Sequence, residues 1–174
     1  MNRHTLRLTL QRLYVGIMLR VIGRALVATS RVDETVRAEL APLPQGYQIQ
    51  MVVLPTGPGF VVECVGDGSL SRATVVKPRP DLSIGFKHVA HAFLVLAFQE
   101  GTAQAFANDR MVADGDVSHA IRLVRCLNTM EALILPRWVA LRAVKRYPQL
   151  PAADKTRKAL RIYALLAKNI LLLK

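Results

Sequence analysis

Four histidines and two cysteines bound what covalent or metal chemistry this chain can perform. His88 and His91 stand three apart, a spacing that puts both imidazoles on one helix face, and His119 is a third nitrogen donor. No glutamate-containing zinc motif accompanies this pair. The histidines therefore read as structural or surface side chains, and no metal is expected. Ser118 and His119 are neighbours, poor geometry for a nucleophile and its base, and no strained strand-to-helix turn surrounds them. Asp114, Asp116 and His119 form a polar group better suited to ending a strand and capping a helix. Gly57 and Gly59 make a lone turn, not a phosphate cradle. There is no P-loop, dinucleotide fingerprint or paired-cysteine zinc signature. Cys64 and Cys126 are far apart in sequence and read as reduced core residues, not a disulfide. These residues point to no catalytic machinery and no cofactor.

What the chain has in quantity is apolar surface and positive charge. Hydrophobic residues make up 52% of its 174 positions, and mean hydropathy is +0.26. That excludes disorder and suggests more apolar surface than one core consumes. The formal charge of +12 is uneven. Residues 1–45 hold seven arginines against three acids, and residues 117–174 hold twelve basic residues against two acids. Residues 46–116, with five basic and seven acidic, are close to neutral. Such a field draws polyanions, either nucleic acid or an anionic bilayer. The basic residues lie among Leu, Ile and Val, whereas a nucleic-acid surface favours polar side chains and stacking aromatics. Nucleic acid is accordingly the less favoured partner.

The elements that must position these residues read as follows. Asn2 to about Thr29 contains no proline and predicts a long helix with two apolar stripes. Leu6, Leu10, Leu13, Ile17 and Val21 form one; Leu8, Val15, Leu19, Ile22 and Leu26 form the other, with Arg12, Arg20 and Arg24 on the arc between. One stripe suits the protein's own core, and the second requires lipid, ligand or a partner chain. The run Leu13 to Leu19 resembles a signal peptide only superficially, since Arg20 and Arg24 follow it without a small-x-small cleavage site. No stretch approaches the ~20 predominantly apolar residues needed to span a bilayer as a helix. A cytoplasmic protein, peripheral to a membrane, is the expectation.

A short helix is expected over Arg31 to Leu40, ended by Pro42 and Pro44. Strands follow at Tyr47 to Leu54, Phe60 to Val65, Leu70 to Lys77 and Leu82 to Phe86, joined by turns containing Gly57, Gly59, Gly66 and Gly68. Helices are expected at His88 to Gln99 and Thr102 to Asn108, then a fifth strand at Met111 to Ala113. Further helices run from Val117 to Leu135, from Pro136 to Arg146 and from Lys155 to Leu173, with Pro148 and Pro151 as a hinge. The pattern predicts an α+β fold. Its parts are a helical segment over residues 1–45, a core over 46–135 and basic helices over 136–174.

The stretch from Asp81 to Leu123 resembles the sterol carrier protein 2 family. That family reads as a strand opening on an acidic residue, a helix, Ala-Phe, a strand ending Gly-Asp, and a helix. Here these are Asp81 to Phe86, Val89 to Phe98, Ala105-Phe106, Arg110 to Asp116, and a helix carrying Ala120 and Leu123. Gly115 supplies the positive φ of the strand-to-helix turn, and Asp116 caps the helix. Asn108-Asp109 stands where the family more often has a glycine turn. The resemblance implies a five-stranded sheet covered by helices around an apolar tunnel for an acyl, sterol or isoprenoid chain, and no covalent step. Some bacterial proteins with this type of domain hold the greasy intermediates of ubiquinone synthesis, a role the resemblance allows but no residue here selects.

Residues proposed to line that tunnel are Phe93, Leu96, Phe106, Met111, Leu123, Leu127 and Met130; each is also a plausible core side chain. In the terminal helix Ile162, Tyr163, Leu166, Ile170 and Leu173 share one face, opposite Arg157, Arg161 and Lys168. Two readings stand for it: an interfacial membrane helix, or a core-packed helix with a solvated charged face. Arg137, Trp138, Arg142, Lys145, Arg146 and Tyr147 add a basic aromatic cluster of the kind found at interfaces. The partners expected are a lipid, an anionic membrane surface, and a second copy of the chain or a biosynthetic partner protein.

Overall fold

Alternation of side chains fixes the sheet. In β1 (Gln48–Val53), Ile49, Met51 and Val53 are buried. Pairing brings them beside the buried positions of β2 (Gly59–Cys64) and β4 (Leu82–Phe86). Ile49 lies between Val62 and Leu82, Met51 beside Ile84, and Val53 beside Phe86. β3 (Leu70–Arg72) and β5 (Met111–Asp114) close the two edges, giving the order β3-β2-β1-β4-β5. β1 and β4 are parallel and every other pair is antiparallel. The first three strands form a meander, and the chain then crosses to the far side of β1 to begin β4. The computed structural model describes residues 3–135 and 152–171, and the side chains of residues 5–135 and 154–168.

The helices are α1 (Arg3–Val32), α2 (Glu34–Leu40), α3 (Val89–Leu96), α4 (Thr102–Ala107), α5 (Val117–Ile134) and α6 (Ala152–Leu171). The architecture is α+β with a five-stranded mixed sheet, as the sequence pattern predicts. Inner side chains of α1, α2, α5 and α6 join the sheet in one cluster, in which Leu19, Leu26, Leu40, Ile49, Leu82, Phe86, Met130 and Ile162 are fully buried. The first helix thus shares its core with the sheet.

Caps explain where the helices begin. The Asp33 carboxylate accepts the Val36 N–H at 3.1 Å to open α2. Asp116 accepts the Ser118 N–H at 2.6 Å to open α5, and hydrogen bonding from the Ser118 side chain, then from its backbone, holds the carboxyl below the ordinary value. Gly115 before it has φ +128°, and a Cβ there would sit 2.6 Å from the Asp81 carbonyl oxygen, so glycine is required on both counts. At the turn before β5, Asp109 takes φ +56°; aspartate tolerates this conformation better than most residues do.

Three expectations are corrected. The third strand stops at Arg72, short of Lys77, because the following backbone turns to the Gln48 side chain. Gln48 Nε2 donates to the Val75 carbonyl at 2.6 Å, and the Lys77 N–H donates to Gln48 Oε1 at 2.8 Å. The third helix ends at Leu96, not Gln99, where Phe98 adopts φ +56° with no glycine to announce the stop. Finally, among the described residues one helix is long and apolar enough to cross a membrane by length and composition, the Thr5–Val32 portion of α1, although 50% of its most apolar stretch is buried in the fold. Arg20 and Arg24 break its apolar runs without greatly lowering its average. The proline hinge and the helix expected over residues 136–146 lie outside the described residues.

Candidate lipid-contact site

The two stripes of α1 separate as the sequence implies. Val15, Leu19 and Leu26 are fully buried, and Ile22 packs against the core. The helix comes very close to β2 at Gly23, where a Cβ would lie 2.7 Å from Phe60 Cγ. On the other side Leu6, Leu10, Leu13, Ile17 and Val21 are all exposed, a continuous apolar row on the outer surface. Residues 5–10 are exposed all round, Leu8 included, so among the described residues nothing packs on the first turns of the helix. Further along, Tyr14 anchors α3: its hydroxyl donates to the Leu96 carbonyl at 3.1 Å and its ring meets Phe93 edge-on at 5.3 Å.

Beyond Ile17 the outward face changes character. Arg20, Arg24 and Arg31 follow at helical spacing and form one wall of an open groove of about 970 Å³, with Arg72 at the end of β3 on the other side. Val27, Val52, Phe60, Val61 and Val76 supply its apolar surface, and no acidic residue lines it. The groove exists because β3 is only three residues long, leaving the Gly59–Val61 end of β2 without a full outer neighbour. Sequence reasoning placed Arg20 and Arg24 between the stripes but missed the groove, since Arg72 arrives from a strand distant in sequence.

The seven residues expected to line a tunnel belong to the core or pack against it. Leu96, Met111, Leu123, Leu127 and Met130 are buried in the core cluster, with Phe93 and Phe106 half-buried against it. None of the seven lines the groove.

The terminal helix resolves in favour of packing. Ile162 and Leu166, expected to touch a membrane, are instead buried in the core, where α6 packs on α1 and α5. An apolar helix face has the same pattern whether it meets lipid or protein, and here protein takes it. Lys158 Nζ reaches the buried Asp33 carboxylate at 2.7 Å and ties the helix down. Arg157, Arg161 and Lys168 are exposed on its outer side. The side chain of Ile170, Leu173, and the cluster from Arg137 to Tyr147 lie outside the described residues.

The polar groups fall into structural roles. His88 caps α3, its Nδ1 accepting the Ala90 N–H at 3.2 Å. His119 Nδ1 is 2.9 Å from the Tyr47 hydroxyl; burial first, then the charge of Asp81, raises that phenol's pKa. Burial also pushes the carboxyl of Asp81 up, but the Gln48 N–H and Lys77 outweigh it and hold it below the ordinary value. Burial raises the Cys64 thiol to about 11 and the Cys126 thiol to about 12, so both are protonated and unreactive near neutrality. Among the described residues no group of three His, Cys, Asp or Glu side chains is arranged to hold a metal. One group gave no warning in the sequence: Glu131 on α5, which burial alone raises to about 7.

No protein-family model and no curated protein matches the sequence. The chain is similar in fold to solved structures of the sterol carrier protein 2 type. One is described as a UbiJ-SCP2 ubiquinone synthesis protein, at 14% identity and a TM-score of 0.44, covering 65% of this chain and 96% of that one. A second is the sterol carrier protein domain 2 of Helicoverpa armigera, at 13% identity and a TM-score of 0.42, covering 64% and 85%. A third is palmitated SCP2L2 from Aedes aegypti, at 13% identity and a TM-score of 0.36, covering 58% and 91%. Likeness at this level concerns the fold, not the ligand.

Proposed function

We propose that the protein is a non-enzymatic lipid-binding domain that takes up a single-chain or isoprenoid lipid at the surface of an anionic membrane. The observation that carries this reading is the outward row of α1. Five large apolar side chains stay in water on a helix whose opposite face is buried in the core from Val15 onward. Leaving such a row uncovered forgoes roughly 0.8 kcal/mol for each methylene that lipid would otherwise shelter. A chain charge of +12 adds long-range attraction to an anionic leaflet. Sheltering a chain inside the fold is a further step. Leu123, Leu127 and Met130 are closed over by the core and meet a hydrocarbon only if α5 shifts from the sheet; the outer row needs no movement.

The test is native mass spectrometry of the purified protein, with organic extraction of whatever it carries. A defined adduct lost on extraction supports the carrier reading. A bare protein that neither takes up added fatty acid nor floats with anionic vesicles contradicts it. The same row also fits an accessory subunit, where another protein or a second copy covers it. That alternative predicts a mass in light scattering that rises with concentration and ignores added lipid.

A further inference from the structure

We infer that the groove between α1 and the sheet edge is a binding site for a phosphoryl head group, with Arg20, Arg24, Arg31 and Arg72 as its ligands. Elsewhere in the described residues five arginines find acids: Arg79 pairs with Asp114, Arg110 with Glu100, Arg122 and Arg125 with Glu39, and Arg157 with Asp154. Arg37 bonds backbone carbonyls, and Arg7, Arg12 and Arg161 stand exposed on helix surfaces without an acid, outside the groove. Among the described residues the four groove arginines have no ion-pair or hydrogen-bond partner for their side chains, and no carboxylate lines the groove. Four like charges gathered around one concavity repel one another, and an anion entering it relieves that repulsion. Guanidinium groups suit phosphoryl oxygens in particular, because their forked donors engage two oxygens at once.

The spacing along α1 favours a lipid as the bearer of that group. Arg20 and Arg24 are one turn apart and Arg31 two turns further, so the three span about 16 Å of helix. Immediately before them, on the same face, runs the apolar row from Leu6 to Ile17, of similar length. One helix face therefore offers hydrocarbon contact over its first half and phosphoryl contact over its second. That order matches an amphiphile lying along it, or a bilayer surface met obliquely. Nucleic acid would use the arginines and leave the apolar row without purpose. This inference deepens the lipid reading and names the chemistry of the head group.

The test uses the full chain and an Arg24→Gln, Arg31→Gln, Arg72→Gln variant, all at groove positions outside the core. Binding is measured to vesicles of four parts phosphatidylcholine to one part phosphatidic acid, to pure phosphatidylcholine vesicles, and to inorganic pyrophosphate by calorimetry. The expected result is about a hundredfold weaker binding to the phosphatidic acid vesicles, with phosphatidylcholine binding unchanged. Pyrophosphate bound by wild type and lost in the variant identifies a soluble phosphorylated ligand as a source; vesicle binding without it identifies the bilayer head group. Equal binding of variant and wild type to both anionic probes overturns the inference. So does a variant that loses retardation of DNA while keeping its vesicles. A wild-type protein that binds pyrophosphate through these arginines but no vesicle would leave the head-group site standing and defeat the lipid reading.

Discussion

Replacing the outward row of α1 separates lipid contact from folding in one experiment. Leu10, Leu13 and Ile17 are 57%, 59% and 49% exposed, so about half of each side chain remains for a further surface to cover. Complete burial of such a side chain is worth ~2 kcal/mol, so the exposed halves together hold about 3 kcal/mol of unclaimed transfer energy. A Leu10→Ser, Leu13→Ser, Ile17→Ser variant should therefore partition onto phosphatidylcholine vesicles about a hundredfold more weakly. Its thermal unfolding should shift little, because substitutions at exposed positions typically stay within about 0.5 kcal/mol each. Flotation gives the first quantity and circular dichroism the second. Unchanged flotation would refute the assignment of this face to lipid. A collapse of stability would show that the row is packed against protein in solution.

Three further outcomes follow from the packing. Glu131 is raised from 4.5 to about 7 by burial, so the folded state keeps its proton to higher pH than the unfolded chain does. Its contribution to stability is full below pH 4.5 and is lost as the pH rises through 7; Glu131→Gln should gain about 3 kcal/mol on wild type between pH 4 and 8, and parallel denaturation curves at the two pH values would contradict this. Gly23→Ala brings a Cβ to 2.7 Å from Phe60 Cγ, so despite alanine's better helix propensity it should destabilise by about 1 kcal/mol net; a raised Tm would show that the helix and β2 can part freely. Lys158→Met leaves the Asp33 carboxylate without its cation. A loss of ~2 kcal/mol is expected, below the usual cost of a buried pair because Lys158 is partly exposed and the Val36 N–H remains, and adding Asp33→Asn should recover most of it in urea titration.

The parts of this fold legible in the sequence are those set by local chemistry. Short runs of β-forming residues between glycine and proline turns marked the five strands, and the Gly115-Asp116 pair marked the turn into α5 because backbone conformation and capping are decided by neighbours in the chain. The double stripe of α1 disclosed that one helix has two apolar obligations. What escaped was decided by contacts remote in sequence. Gln48 reaches across to Val75 and Lys77 and ends β3 early, and that shortening opens the groove. Arg72 joins the arginines of α1 only once the sheet edge is set beside that helix. Ile162 and Leu166 fit a membrane or a core equally well by spacing, which is the same for either apolar neighbour, and only the docked helix distinguishes them. The elevated acid at Glu131 depends on how deeply α5 is covered, which no run of letters reveals.

The central claim is that the outer face of α1 enters the hydrocarbon edge of a bilayer. A Leu13→Cys variant carrying an environment-sensitive fluorophore tests it directly, since the buried, high-pKa thiols of Cys64 and Cys126 escape labelling. With anionic vesicles containing a quencher on the acyl chain, emission from position 13 should be strongly quenched. The same label at the exposed Thr35 on α2 should not respond. Position 13 accessible only to a water-borne quencher, as at position 35, would contradict the account.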